Sequence, residues 1–81
     1  MTKNIESQIM SVLNGEVKHI ELPLILPNEI NTFLVKAGAE QIQLDTNGWC
    51  VDFWITYMYN NREFTFDGSW WNGHYSFYLA K

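Results

Sequence analysis

The chain has one cysteine, two prolines and only five lysines and arginines in its 81 residues. Each scarcity excludes something. A lone thiol, Cys50, forms no intrachain disulfide. A small secreted domain usually depends on several, so a cytoplasmic location is expected. Residues 1–8 contain no apolar signal segment. The longest apolar run, residues 22–26, is interrupted by Pro23 and is far too short to cross a bilayer as a helix. Five basic residues against nine acidic ones leave a net charge of −4. Duplex nucleic acid and anionic membranes both call for clustered Lys and Arg, so neither is an expected partner.

Several motifs are also missing. There is no phosphate-binding glycine loop, no G-x-S-x-G and no H-E-x-x-H. No Cys/His pairing has zinc-ligand spacing, and His19 and His74 have no ligand set around them. No cofactor, metal or enzymatic activity is therefore expected. Repeats, low-complexity tracts and Ser/Gly linkers are absent too, and residues 1–81 read as a single compact domain. Its total stability should be about 4–12 kcal/mol.

What the chain does have is apolar and aromatic. Hydrophobic residues make up 47% and charged residues 17%, the composition of a packed domain and not of a disordered tail. Twelve of the thirteen aromatics lie at or after Trp49, the exception being Phe33. A mixed first half thus precedes an aromatic second half.

Ile5, Ile9, Met10 and Leu13 recur at helical spacing, and Asn14-Gly15 is a stop signal, so a helix is predicted over residues 3–13. Residues 17–22 can form a strand with Ile20 and Leu22 on one side. Pro27 suits the first turn of a second helix, with Glu29 near its positive end. Ile30, Phe33, Leu34 and Ala37 make its apolar stripe, and Gly38 ends it.

The remainder reads as a four-strand meander. Asn47-Gly48, Asn60-Asn61 and Asn72-Gly73 are turn signals, because Asn and Gly tolerate positive φ. If all three are two-residue turns, pairing follows by arithmetic. Leu44 meets Val51 and Ile42 meets Phe53. Tyr57 meets Phe64, Ile55 meets Phe66 and Val51 meets Trp70. Trp70 meets Tyr75, Gly68 meets Phe77 and Phe66 meets Leu79. One face then collects only apolar and aromatic side chains, with Gly68 between Phe53 and Phe77. A one-residue slip would invert a strand, so this agreement supports the pattern. The weak stretch is residues 67–69, which can bulge or turn. The expected fold is α+β: two short helices on one face of a twisted antiparallel β-meander of four strands, with residues 17–22 as a candidate fifth strand at an edge.

The same arithmetic defines an opposite face. Asp45, Cys50, Trp71 and His74 make one row. Gln43, Asp52, Ser69 and Ser76 make the next, followed by Gln41, Trp54, Asp67 and Tyr78, and then by Thr56, Thr65 and Ala80. A half-solvated sheet should be polar on that side. Trp54, Trp71 and Tyr78 are large rings among carboxylates, typical of binding surfaces. With Asp52, Asp67 and His74 they form the candidate binding face. The expected function is non-enzymatic protein contact in an accessory, inhibitor or immunity-type role, with a partner protein or a second copy. The alternative is an aromatic platform for a carbohydrate or exposed nucleobases, although the scarcity of Lys and Arg weighs against nucleic acid.

Two pairings on this face have catalytic residue types, and neither has the geometry for catalysis. Cys50 and His74 stand two strands apart, about 9–10 Å, beyond the reach of a thiol and its base. Asp52 and Asp67 are diagonal neighbours at about 7–8 Å, a spacing compatible with inverting glycoside hydrolysis. A small open sheet, however, supplies no cleft to exclude water or raise one carboxyl pKa.

Overall fold

The computed structural model describes residues 2–22, 27–47, 52–69 and 74–80. Two helices, α1 (Lys3–Leu13) and α2 (Pro27–Lys36), accompany five strands: β1 (His19–Leu22), β2 (Glu40–Asn47), β3 (Asp52–Tyr59), β4 (Arg62–Ser69) and β5 (His74–Leu79). The strands form one antiparallel sheet in the order β1-β5-β4-β3-β2. The α+β expectation holds, and residues 19–22 supply the fifth strand at the edge beside β5.

Local chemistry accounts for the helices. The Thr2 hydroxyl accepts a hydrogen bond from the Ile5 amide at 3.3 Å and caps α1. Gly15, at φ +83°, closes its far end, and Gly38, at φ +105°, does the same after α2. Each helix turns an apolar stripe inward. Ile9, Val12 and Leu13 of α1 and Ile30 and Leu34 of α2 are buried. They meet Phe53, Ile55 and Tyr57 of β3, Phe64 and Phe66 of β4, Tyr75 and Phe77 of β5 and Leu22 of β1 in one core.

The register agrees with expectation at one of the three hairpins. Asn60 and Asn61 adopt φ of 52° and 63°, and Tyr57 pairs with Phe64 and Ile55 with Phe66, as a two-residue turn requires. At the other two, four residues separate the last paired positions: 48–51 after Asn47 and 70–73 after Ser69. Leu44 consequently stands opposite Ile55 instead of Val51, and Thr46 opposite Phe53. Phe66 stands opposite Phe77 instead of Leu79, and Gly68 opposite Tyr75 instead of Phe77. Val51, Trp70 and the predicted turns at Gly48 and Asn72-Gly73 lie outside the described residues.

Both slips are even, so the inward face survives in β3, β4 and β5. The β4/β5 slip has a packing cause. A Cβ at Gly68 would lie 2.2 Å from Tyr75 Cδ1. The Tyr75 ring therefore fills the space that glycine leaves, and it meets Phe53 across that position with ring centroids 5.8 Å apart. In β2 the inward assignment fails. Ile42 is 47% and Leu44 54% exposed, and every residue of the strand is exposed. Helix α2 approaches β2, but across an open cleft that leaves these side chains in solvent. A bulge between Gln41 and Gln43 also brings Gln41 opposite Tyr57, onto the helix side, and not beside Trp54 on the outer face.

One polar contact ties the layers together. The Tyr57 hydroxyl donates to Asn31 Oδ1 of α2 at 2.6 Å. Burial pushes the Tyr57 pKa from 10.0 up to about 12. The stabilisation linked to this raised pKa is intact below about pH 10 and is lost as pH rises to about 12, by up to about 2–3 kcal/mol. Tyr57→Phe should cost about 0.5–1.5 kcal/mol at pH 7. It should also make the alkaline loss of stability shallower between pH 10 and 12, as read from urea midpoints at each pH. Phe66, fully buried and 5.3 Å from the Phe53 ring by centroid, is the test of the core. Phe66→Ala should cost about 3–5 kcal/mol. A loss below about 1 kcal/mol in urea would contradict the inward face.

Candidate functional site

Residues alternating with the buried ones build the opposite face of the sheet, and within the described chain no helix covers it. Its cross-strand rows follow from the pairing. The central row runs Asp45–Trp54–Asp67–Ser76–Glu21 across β2, β3, β4, β5 and β1. Beside it runs Gln43–Thr56–Thr65–Tyr78–His19. Toward the other end lie Asn47, Asp52, Ser69 and His74.

Trp54 sits between Asp45 and Asp67, not between Gln41 and Asp67 as the expected register had it, because β2 is shifted four residues along β3. The ring is 42% exposed, and it is the only Phe, Tyr or Trp among the described residues with so much surface in solvent. Tyr78 stands opposite Thr65 instead of Asp67, yet its hydroxyl reaches diagonally and donates to Asp67 Oδ2 at 2.7 Å. Burial raises the Tyr78 pKa, and the hydrogen bond to Asp67 and the charge of that carboxylate raise it further. The ring lies 5.8 Å from His19 by centroid. On the β2 side, Gln43 Nε2 donates to Asp45 Oδ2 at 2.8 Å. Both carboxylates flanking Trp54 are thus held in place by a neighbour on the same face.

Asp52 and Asp67 remain diagonal neighbours, since the β3/β4 register is the expected one. They lie half-buried on an open sheet. His74 stands opposite Ser69, and its Nε2 lies 3.3 Å from Glu21 Oε1, an exposed pair. Trp71 and Cys50 lie outside the described residues. No three His, Cys, Asp or Glu side chains among the described residues are grouped to hold a metal ion.

The structure also shows two features that pattern reading missed. The first is the sign of the face. Glu21, Glu40, Asp45, Asp52, Glu63 and Asp67 all project from it. The described basic residues do not: Lys3 and Lys36 are on the helices, Lys18 lies opposite Leu79, and Arg62 points toward Gly15 on the helix side. Alternation along each strand carried this signal, but β1 and β2 had to be placed before it could be read across the sheet. The second feature is a cleft of about 330 Å³ between α2 and the overhanging β2, lined by Asn28, Asn31, Gln41, Leu44, Thr46, Phe53 and Ile55.

Comparison of the chain with protein-family models, with curated proteins and with solved structures returned no match.

Two measurements check this geometry. Trp54→Ala removes a ring that seals no core, so it should cost under about 1–1.5 kcal/mol of monomer stability. A loss of several kcal/mol in a dilute urea titration would place the ring in the core. Asp67→Asn removes the charge beside the Tyr78 hydroxyl, and Tyr78 should then titrate at lower pH than in the wild type. A spectrophotometric titration read against Tyr78→Phe, or ring-carbon NMR, follows that shift.

Proposed function

We propose that this chain is a non-enzymatic domain that acts by protein contact through the outer face of its sheet, in an accessory, inhibitor or immunity-type role. The observation that carries this reading is Trp54, a large ring left 42% exposed in the interior of a sheet face that no described helix covers. The exposed part of such a ring adds little to folding stability, whereas a ring at an interface centre is a common source of binding energy. The carboxylates on either side are held by Tyr78 and Gln43. Part of the ordering cost of association is thus met before a partner arrives.

The second reading, a stacking platform for a sugar or exposed bases, asks for several rings lying open together. Tyr78 is half-buried and its hydroxyl is committed to Asp67. That leaves Trp54 as the exposed ring among the described residues, so protein contact is preferred. A cytoplasmic location fits the lone cysteine.

The test uses the wild-type chain and Trp54→Ala side by side as baits in the native host, with sedimentation at two concentrations to report self-association. A protein held by the wild type and lost by Trp54→Ala supports the reading, with a weakening of about thirtyfold or more, the 2 kcal/mol expected of a central ring. Equal retention by a stably folded Trp54→Ala variant would refute it. An enzymatic activity abolished by Cys50→Ser without unfolding would overturn its non-enzymatic part.

A further inference from the structure

We infer that the partner of the outer face is a cationic protein surface, one of whose arginines packs over Trp54 between Asp45 and Asp67. The inference rests on the docking role proposed above and adds the chemistry of the partner. Three observations support it.

The first is local geometry. Asp45, Trp54 and Asp67 are direct cross-strand neighbours, so each carboxylate's Cβ lies about 4.5–5.5 Å from that of the ring. A planar guanidinium stacked on an indole gains from the ring's negative face, and it presents its N–H groups sideways, toward groups flanking the ring. Carboxylates occupy both flanks here. Asp45 accepts from Gln43 and Asp67 from Tyr78, each through Oδ2. A carboxylate has about four acceptor sites, so both retain capacity for an incoming N–H.

The second is the separation of charge. Six of the nine acidic residues project from this face, while Lys3, Lys18, Lys36 and Arg62 lie elsewhere. Glu21 is engaged with His74, a residue that adds positive charge only when protonated. Among the described residues the carboxylates of this face outnumber its cationic groups, an excess that attracts and orients a surface of the opposite sign.

The third is what the charge disfavours. A second copy docking by the same face would bring an identical acidic patch against this one, as two-fold contact requires. Nucleic acid and anionic lipid would be repelled in the same way. Complementarity leaves a basic protein surface as the occupant, and arginine as the residue that uses ring and carboxylates together.

The experiment titrates the 81-residue chain, labelled with nitrogen-15, with the peptide Gly-Arg-Gly-Arg-Gly-Arg and with a counterpart carrying Gln for Arg. The readout is the Trp54 indole N–H signal, assigned by its absence in Trp54→Phe. The arginine peptide should shift that signal and the glutamine peptide should bind about tenfold more weakly or less. The shift should fall away between roughly 20 and 500 mM salt, where the screening length drops from about 20 to about 4 Å. An Asp45→Asn/Asp67→Asn variant should weaken binding about fivefold or more, and Asp45→Glu/Asp67→Glu should recover most of it. Spectral dispersion confirms that each variant is folded. Equal binding of the two peptides, or an unchanged titration in the Asn variant, would overturn the cationic partner while leaving contact through Trp54 standing. No indole shift with the arginine peptide at about 10 mM, a concentration that would reveal even millimolar affinity, overturns it as well. A salt-insensitive shift on adding maltohexaose instead would overturn it in favour of the sugar platform. The docking role itself is decided separately, by retention of a host protein on wild-type and Trp54→Ala baits.

Discussion

Tyr75 stands where a side chain on residue 68 would have to go. The clash distance of 2.2 Å from a Cβ to the ring leaves room for glycine only. Around that vacancy Phe53, Phe66 and Tyr75 form a triangle of rings with centroids 5.3–5.8 Å apart, a spacing favourable for edge-to-face and tilted aromatic contact. The triangle joins three adjacent strands, and its fit fixes how far β5 slides along β4. The rest follows from that register. It brings Phe77 under Phe64, nearly stacked at 17°, and it sets which residues of β5 face β1. On the reverse side it decides which polar groups become neighbours of Asp67.

The inner and outer faces answer to different physics. Inside, rings and aliphatic side chains compete for volume, so a misplaced strand costs several kcal/mol. Outside, the residues touch water, and few packing constraints limit what occupies each position. An acidic field can therefore accumulate there at little expense to the core. Like charges on one face repel modestly, and salt screens much of that repulsion. Helix α1 packs beside β1 and β5 and α2 approaches β2, yet every residue of β2 stays exposed. The cleft beside α2 opens at that exposed edge.

How much of this could be read from the chain varies by element. Helix α1 was legible over its whole length, because its apolar spacing and its Asn14-Gly15 stop are local signals, while the Thr2 cap emerged only in the structure. The Asn60-Asn61 hairpin was legible for the same reason. Face assignment in β3, β4 and β5 survived errors of register, since only parity matters to it. The two Asn-Gly turn signals misled. Turn preference is worth little against three rings seeking a common contact, and only the folded sheet shows that Gly68 belongs opposite Tyr75. Ile42 and Leu44 looked like core because they alternate correctly, but burial depends on what lies above a strand, and alternation is silent about that. Trp54 and Tyr78 were found on the right face, whereas the bond from Tyr78 to Asp67 and the partner position of Asp45 needed the true register. The acidic face went unread because Glu21 and Glu40 belong to strands whose neighbours the pattern alone did not establish.

The placement of β1 has a consequence for how the chain acquires its structure. β1 pairs with β5, and Glu21 and His74 meet across 53 positions of sequence. Every other strand pair joins neighbours in the chain. During synthesis, β2, β3 and β4 can assemble as they emerge, each against the strand just made. The early α1–β1 segment, with its buried Ile9, Val12 and Leu22, lacks its pairing strand until β5 follows. The edge pairing must wait while more than fifty residues are added, at about 5–20 residues per second. Closing that long loop comes late and carries the largest entropic cost of any pairing in the sheet. For those seconds β1 has no pairing strand, a vulnerability that ends when the fifth strand arrives.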